Sequence, residues 1–335
     1  MTALTHSRTR RRWLRTVLAA LAGVCGAAPA AHADAWPKQP VKIVLAIGPG
    51  SSGDTLARML GPKLEARWKQ PVIIDNRPGA SGVLGTEAVV RATDGHTLLL
   101  GTQSSFLSKF LVKGLKFDPE VDLMPVRRVL NYQLVIAVNA ETAKQAGSLK
   151  DLVALSKKSE KGIFFAGLGP TSVFNLTLGV LNQQLGLNYV AVNYSNVGQA
   201  NLALMRNDAQ FIINNPASIR PYFANGAVVP IAALAAQRYP QLPKLPTLQE
   251  AVGYKGYVPQ LWTGFFLPKG TPASVVEQVN RDVAAVLNDP AFRKEVEDRL
   301  DATVVNSSPE AYARDIHDEM AVWQQLFKTL NIQPE

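Results

Sequence analysis

The sequence predicts an α/β protein of two lobes, each a mainly parallel sheet flanked by helices, joined by a two-segment hinge. Three observations carry that expectation. Residues 41–60 read as a buried strand, a glycine loop and an amphipathic helix. The same order of elements continues to residue 105 and starts again after residue 148. Extended stretches at 134–138 and 228–235 flank the second series, where hinge segments joining the lobes would run.

The first unit justifies the pattern in detail. Val41, Ile43, Val44, Leu45 and Ile47 form a near-continuous apolar run, as in a strand buried on both faces. Gly48-Pro49-Gly50-Ser51-Ser52-Gly53 cannot continue that strand. Asp54 offers an N-cap or first-turn carboxylate, and Leu56, Met59, Leu60 and Leu64 give a helical stripe. A strand at 71–74 follows, closed by Asp75-Asn76-Arg77-Pro78-Gly79-Ala80-Ser81-Gly82. A helix at 83–92, a turn at Asp94-Gly95 and a strand at 97–100 complete the unit. In a parallel sheet built this way, ligands sit beyond the carboxyl ends of the strands. The loops at 48–54, 76–82 and 101–105 should gather there.

The second unit has helices at 148–158 and 173–185 around a strand at 163–166. That strand ends in Gly167-Leu168-Gly169-Pro170-Thr171-Ser172. A strand at 189–192 leads to Asn193, a helix runs through Met205, and a strand at 210–213 ends at Asn214. The expected first lobe is 34–137 with 230–335, and the second is 138–229. Towards the C-terminus come a proline-rich connector and three amphipathic helices. The last is capped by Ser308-Pro309-Glu310, with Tyr312, Ile316, Met320, Trp323 and Phe327 on one face. These helices read as cover for the lobes.

Residues 1–33 resemble an export signal: five arginines, a short apolar run at 16–28 and an A-x-A site at Ala31-His32-Ala33. The arginine cluster fits either a Sec or a twin-arginine signal, so a periplasmic destination is expected. Removing the leader takes the net charge from +9 to +4. The basic residues form no run with interleaved aromatics, so nucleic acid is not implied. The only cysteine, Cys25, leaves with the leader, which excludes disulfide and thiol chemistry. No other segment has an apolar run long enough to span a bilayer.

The glycine loop is also a literal G-x-G-x-x-G, and Asp75 lies 22 residues beyond Gly53. That spacing fits a dinucleotide-binding fingerprint. Against it, Pro49 removes a donor from the turn, and Asp54 puts negative charge where a pyrophosphate would sit. An exported nicotinamide-dependent oxidoreductase is therefore the alternative reading, with cofactor absorbance as its signature. A P-loop is excluded, since no Gly-Lys-Ser/Thr follows. After cleavage His96 and His317 remain, both read as surface residues. Asp54, Asp75 and Asp94 read as a helix-start acid paired with Arg58, a strand-end acid and a turn acid. No set of residues assembles acid, base and nucleophile, so no enzyme activity, metal or cofactor is expected. Two lobes presenting glycine, serine, threonine and asparagine loops are the layout of a solute-binding protein. Their backbone N–H groups and hydroxyls suit a carboxylate, each helix terminus adding about 0.3–1 kcal/mol.

At this point the motifs match a known family. The chain resembles the Bug family, the TctC-like extracytoplasmic receptors of tripartite tricarboxylate transporters, over essentially its whole mature length. The motifs, in order, are Pro49-Gly50 through Asp54 with Leu56-Ala57-Arg58, then Asp75-Asn76-Arg77-Pro78-Gly79-Ala80-Ser81-Gly82 and Asp94-Gly95-His96-Thr97-Leu98-Leu99. Phe117-Asp118-Pro119, Leu245-Pro246-Thr247, Gly264-Phe265-Phe266 and Pro268-Lys269-Gly270-Thr271-Pro272 follow. The resemblance implies a monomeric periplasmic receptor of the type II binding-protein fold. It would deliver a small carboxylate to two membrane subunits; a receptor serving a signalling sensor would share the same pocket. The resemblance places the ligand at Gly48, Pro49, Gly50, Ser51, Ser52, Gly53 and Asp54, and at Gly167, Gly169, Thr171 and Ser172. Ser104, Asn193 and Asn214 are further expected contacts. The departures concern specificity. Valine stands at Val173 in place of the family's histidine, and Asn193-Tyr194-Ser195-Asn196 lacks the usual lysine. Asn214 replaces a frequent aspartate that would suit an ammonium. An amine-free carboxylate is therefore expected.

Overall fold

The structure is a computed structural model and describes residues 36–334. The expected export signal at 1–33 lies outside the described residues. The compact body begins at Gln39 and contains two sheets.

The first sheet is assembled from β1 (Val41–Leu45), β2 (Val72–Asn76), β3 (Thr97–Thr102), β4 (Leu123–Tyr132), β10 (Leu261–Pro268) and β11 (Ala302–Val304), β5 to β9 belonging to the second. Its strand order is β11-β4-β10-β3-β1-β2. The second sheet takes β5 (Val135–Asn139), β6 (Ile163–Gly167), β7 (Tyr189–Asn193), β8 (Phe211–Asn214) and β9 (Val228–Ala233), in the order β7-β6-β8-β5-β9. Each sheet has a parallel portion in which the first strand of the unit sits between the second and third. These are β2-β1-β3 and β7-β6-β8. β10, β4 and β11 pair antiparallel in the first sheet, and β5 and β9 in the second, so both sheets are mixed.

Among the described residues the helices of eight residues or more are α1 (Ser52–Trp68), α2 (Val83–Val90), α3 (Gln103–Leu111), α4 (Leu149–Lys158), α5 (Val173–Leu185), α6 (Val197–Met205), α7 (Ala273–Leu287), α8 (Pro290–Leu300) and α9 (Pro309–Thr329), and all but α3 fall where the sequence predicts a helix. In α1, Leu56, Leu60 and Leu64 are fully buried behind β1. In α9, all five stripe residues from Tyr312 to Phe327 are buried, joined in one core with Val44, Leu99, Trp262 and Phe266. Burying such a side chain stabilises by about 1.5–3 kcal/mol, which explains why α9 is held on the sheet despite its polar outer face.

Two expectations need correction. The stretches at 134–138 and 228–235 are extended, as expected, but they are not the hinge: they form β5 and β9, paired to each other inside the second sheet. Lobe boundaries at 137/138 and 229/230 would therefore cut through strands. The chain crosses between sheets at Gln133-Leu134 and again after Ala233. The first crossing is held in place. Asn215 Nδ2 donates to the carbonyls of Gln133, Leu300 and Asp301 at 3.0–3.1 Å. Leu134 N donates to Tyr239 Oη at 3.0 Å. Beside it, Arg220 pairs with the fully buried Asp301 carboxylate.

Candidate functional site

β1 and β6 occupy equivalent places in their sheets, and each runs through a glycine loop into a helix. The two loops face one cavity of about 550 Å³. It is walled from the first sheet by Ala46, Ile47, Gly50, Ser51, Ser52, Gly53, Gly79, Gly82, Thr102, Ser104, Tyr132 and Leu261. The second sheet's side contributes Leu168, Thr171, Ser172, Val173, Phe174, Ser195, Val197, Asn214, Asn215 and Ser218. None of these residues carries a formal charge.

The first loop is shaped by a buried acid. Asp54 is 4% exposed. Its Oδ2 accepts from Gly50 N at 2.9 Å and from Arg58 Nε at 3.1 Å. Burial works against its charge, but the hydrogen bonds from Arg58 and Gly50 outweigh that and hold its carboxyl below the usual range. Gly50 adopts φ +78°, a conformation that favours glycine. Ser51 is the N-cap: its Oγ accepts from Asp54 N at 3.3 Å and donates to Gly48 O at 2.9 Å. With that hydroxyl committed, the first-turn N–H groups of Ser52 and Gly53 lie at the open end of α1.

The second loop uses amides instead. Asn175 Oδ1 accepts from Leu168 N at 2.9 Å and from Ser172 Oγ at 2.8 Å. Asn193 Oδ1 accepts from Gly169 N and from Asn175 Nδ2, both at 3.0 Å. A Cβ at Gly167 would come within 2.6 Å of the Asn175 amide and 2.8 Å of Asn193, so any side chain there must displace both amides. Ser172 caps α5, its Oγ accepting from Asn175 N at 3.3 Å. The first-turn N–H groups of Val173 and Phe174 are then left at the cavity face of α5. The cavity thus lies between two helix N-termini, each contributing partial positive charge without a cationic side chain.

Among the sequence-predicted residues, Gly50, Ser51, Ser52, Gly53, Ser104, Thr171, Ser172 and Asn214 line the cavity. Gly48, Pro49, Asp54, Gly167, Gly169 and Asn193 do not. Asp54, Gly167, Gly169 and Asn193 form the packing and hydrogen bonds that shape the loops from behind, and Gly48 receives the Ser51 hydroxyl. Pro49 is exposed. Asn214 is on the wall, yet both ends of its amide are engaged: Nδ2 donates to Asn201 Oδ1 at 2.9 Å, and Oδ1 accepts from Asn215 N at 2.8 Å. The sequence named neither the apolar wall of Ile47, Leu168, Phe174, Val197 and Leu261 nor the polar residues Tyr132 and Asn215, while Thr102 lies in the 101–105 loop expected at the strand ends. Thr102 had a legible signal, as the N-cap of α3 in a capping box with Ser105.

The three acids are not paired with one another. Asp75 Oδ2 is taken by Arg77 Nε at 2.9 Å on the edge strand β2. Asp94 Oδ1 accepts from His96 N and Thr97 N, both at 2.9 Å, in the expected turn. The Gly48–Asp54 loop already holds the Asp54 carboxylate against Gly50 N, within the turn that a dinucleotide pyrophosphate would need. His317 is exposed, and among the described residues no cluster of three or more His, Cys, Asp or Glu could hold a metal ion. No described helix is long and apolar enough to cross a membrane.

A family profile described as "Tripartite tricarboxylate transporter family receptor" matches residues 56–332. The chain belongs to that family. A relative from Bordetella bronchiseptica, a protein of the UPF0065 group, is 32% identical over 322 residues, covering 96% of this chain and 94% of the relative. The solved structure of the periplasmic binding protein BugD superposes with TM-score 0.79 at 28% identity, covering 90% of this chain and 100% of BugD. R. palustris Rpa4515, solved with adipate, gives TM-score 0.80 at 27% identity over 90% of this chain and 100% of that one. The two-lobed binding-protein fold expected from the sequence is the fold of this receptor, and the family is one of binding receptors, which is not an enzyme class.

Proposed function

We propose that this receptor works in the periplasm as a monomer. It would hold one carboxylate of a small, amine-free ligand between the N-termini of α1 and α5 and present it to the membrane subunits of a tripartite transporter. The observation that carries the reading is the pair of opposed helix starts, whose N-cap hydroxyls are committed and whose first-turn N–H groups flank an uncharged cavity. Adipate bound to a relative of the same fold supports the ligand class. The engaged Asn214 amide, with no acid on the cavity wall, supports exclusion of an ammonium group. Closure would pivot at the two crossings, which moves the lobe boundaries to Gln133-Leu134 and the segment after Ala233. Water leaving the closed cleft would strengthen the N–H···carboxylate bonds.

Titration calorimetry tests this with aliphatic monocarboxylates, dicarboxylates and aromatic carboxylates against aspartate and glutamate. One-to-one binding by carboxylates without an amine is expected. Tighter binding of aspartate or glutamate would sink the specificity claim. Absorbance of nicotinamide in the purified protein would revive the oxidoreductase reading.

A further inference from the structure

The ladder between β3 and β10 ends at the cavity. Its last paired residues there are Thr102 and Thr263. One step further stand Gln103, the first residue of α3, and Trp262. Gln103 lies between two cavity-lining residues, Thr102 and Ser104, and Trp262 follows a third, Leu261. Gln103 and Trp262 are themselves fully buried. Glu319 of α9 joins the two side chains: its Oε2 accepts from Trp262 Nε1 at 2.6 Å, and its Oε1 accepts from Gln103 Nε2. Arg128 of β4 and Tyr257, in the segment before β10, face this carboxylate, as does Tyr312 earlier on α9. Arg128 is shared with Asp315 at 3.8 Å. Burial pushes the Glu319 pKa up, and the bonds from Trp262 and Gln103 with the Arg128 charge oppose that shift. A carboxylate held by neutral donors in such a place costs energy. The packing of α9 does not call for it, since Tyr312, Ile316, Met320, Trp323 and Phe327 already bury the helix.

We infer that Glu319 is a positioning residue for ligand binding: from behind the wall, its carboxylate ties the start of α3 to the start of β10 where the backbone ladder stops, and so holds Thr102, Ser104 and Leu261 in place. This rests on the receptor reading proposed above. It makes α9, which the sequence presents as cover, part of the binding machinery. The Gln103 amide gives the role a signature, because its Oε1 is buried without a hydrogen-bond partner. In Glu319→Gln the new amide oxygen can accept from Trp262 while its N–H donates to Gln103 Oε1, once the Gln103 amide turns over. The tie is then kept without the charge. Glu319→Ala removes it.

Calorimetry with hexanoate, adipate and benzoate, taking whichever binds the parent most tightly, tests this alongside peptide-resolved amide exchange of the unliganded proteins. Glu319→Ala should weaken binding roughly three- to thirtyfold and speed exchange over residues 102–105. Glu319→Gln should bind within about twofold of the parent and keep the parent's exchange there. Val279→Ala, a fully buried change in α7 outside the core that α9 joins, should melt lower yet leave both readouts unchanged. Parent-like binding by Glu319→Ala, a loss in Glu319→Gln as large as in Glu319→Ala, or an equal loss in Val279→Ala would each overturn the inference while leaving the receptor reading intact. Failure of all three probes to bind the parent would overturn both.

Discussion

The two loops that face the cavity do the same job with different chemistry. The loop before α1 is organised by a charge: Asp54, held by Arg58, draws in Gly50 N. The loop before α5 is organised by two neutral amides, Asn175 and Asn193, packed around Gly167. Equivalent strand–loop–helix geometry can therefore be fixed by electrostatics on one side and by close packing on the other. The first should be sensitive to acid and tolerant of added volume. The second should be the reverse.

The largest expected effect tests whether both loops grip the same group. Aspartate is itself a good N-cap, so Ser51→Asp and Ser172→Asp should fold while placing a carboxylate at each helix start. Like charges about 4 Å apart in a partly buried site repel by up to about 4 kcal/mol. Each variant should lose at least thirtyfold in carboxylate affinity by calorimetry, with melting little changed. Loss in only one variant would assign the carboxylate to that half alone.

Next in size is the packing contrast. Gly167→Ala should cost about 1–3 kcal/mol in denaturant unfolding, because both asparagine amides must move. Gly48→Ala has nothing within 4 Å of its new Cβ and should stay within about 0.5 kcal/mol of the parent. Equal costs would mean that the second loop is not packing-limited.

Asp54→Asn should cost about 1 kcal/mol at neutral pH, since Arg58 is half exposed and the neutral amide still accepts from Gly50. The acid side gives the sharper comparison. The folded-state pKa of Asp54 is depressed, so its contribution is present above the unfolded value near 4 and is lost as pH falls through the folded value. Parent and variant should therefore converge in stability in melts below about pH 4. A constant gap down to pH 2 would separate the loop's stability from Asp54 ionisation. The smallest expected effect concerns salt. With no charged side chain on the wall, carboxylate affinity should change less than about threefold between low and high ionic strength.

Much of this was legible because residues 41–60 and 163–185 carry strong local signals: continuous buried strands, glycine loops and helical stripes. Ser51 and Ser172 were legible as cavity residues for the same reason. Asp54 and Asn193 were expected on the cavity wall but brace the loops from behind, because residues that cap or brace a loop are the same types that bind an anion. The strand β4 was missed, since Pro125, Arg127 and Arg128 interrupt its apolar pattern. With it went Tyr132, whose place in the cavity exists only once β10, from far along the chain, inserts between β3 and β4. The apolar wall was unreadable for a related reason: Ile47, just past β1, and Leu261, the first residue of β10, look like core until a cleft opens beside them.

The uncharged wall also bears on how cargo is let go. A cation's pull on a carboxylate decays slowly with distance, whereas the pull of N–H dipoles fades within about a helical turn. A grip assembled from two opposed sets of dipoles is strong when shut and nearly absent after a small separation. On the proposed reading, such a carrier would need only a slight parting of its halves to surrender what it holds, and no rival charge to pry it loose.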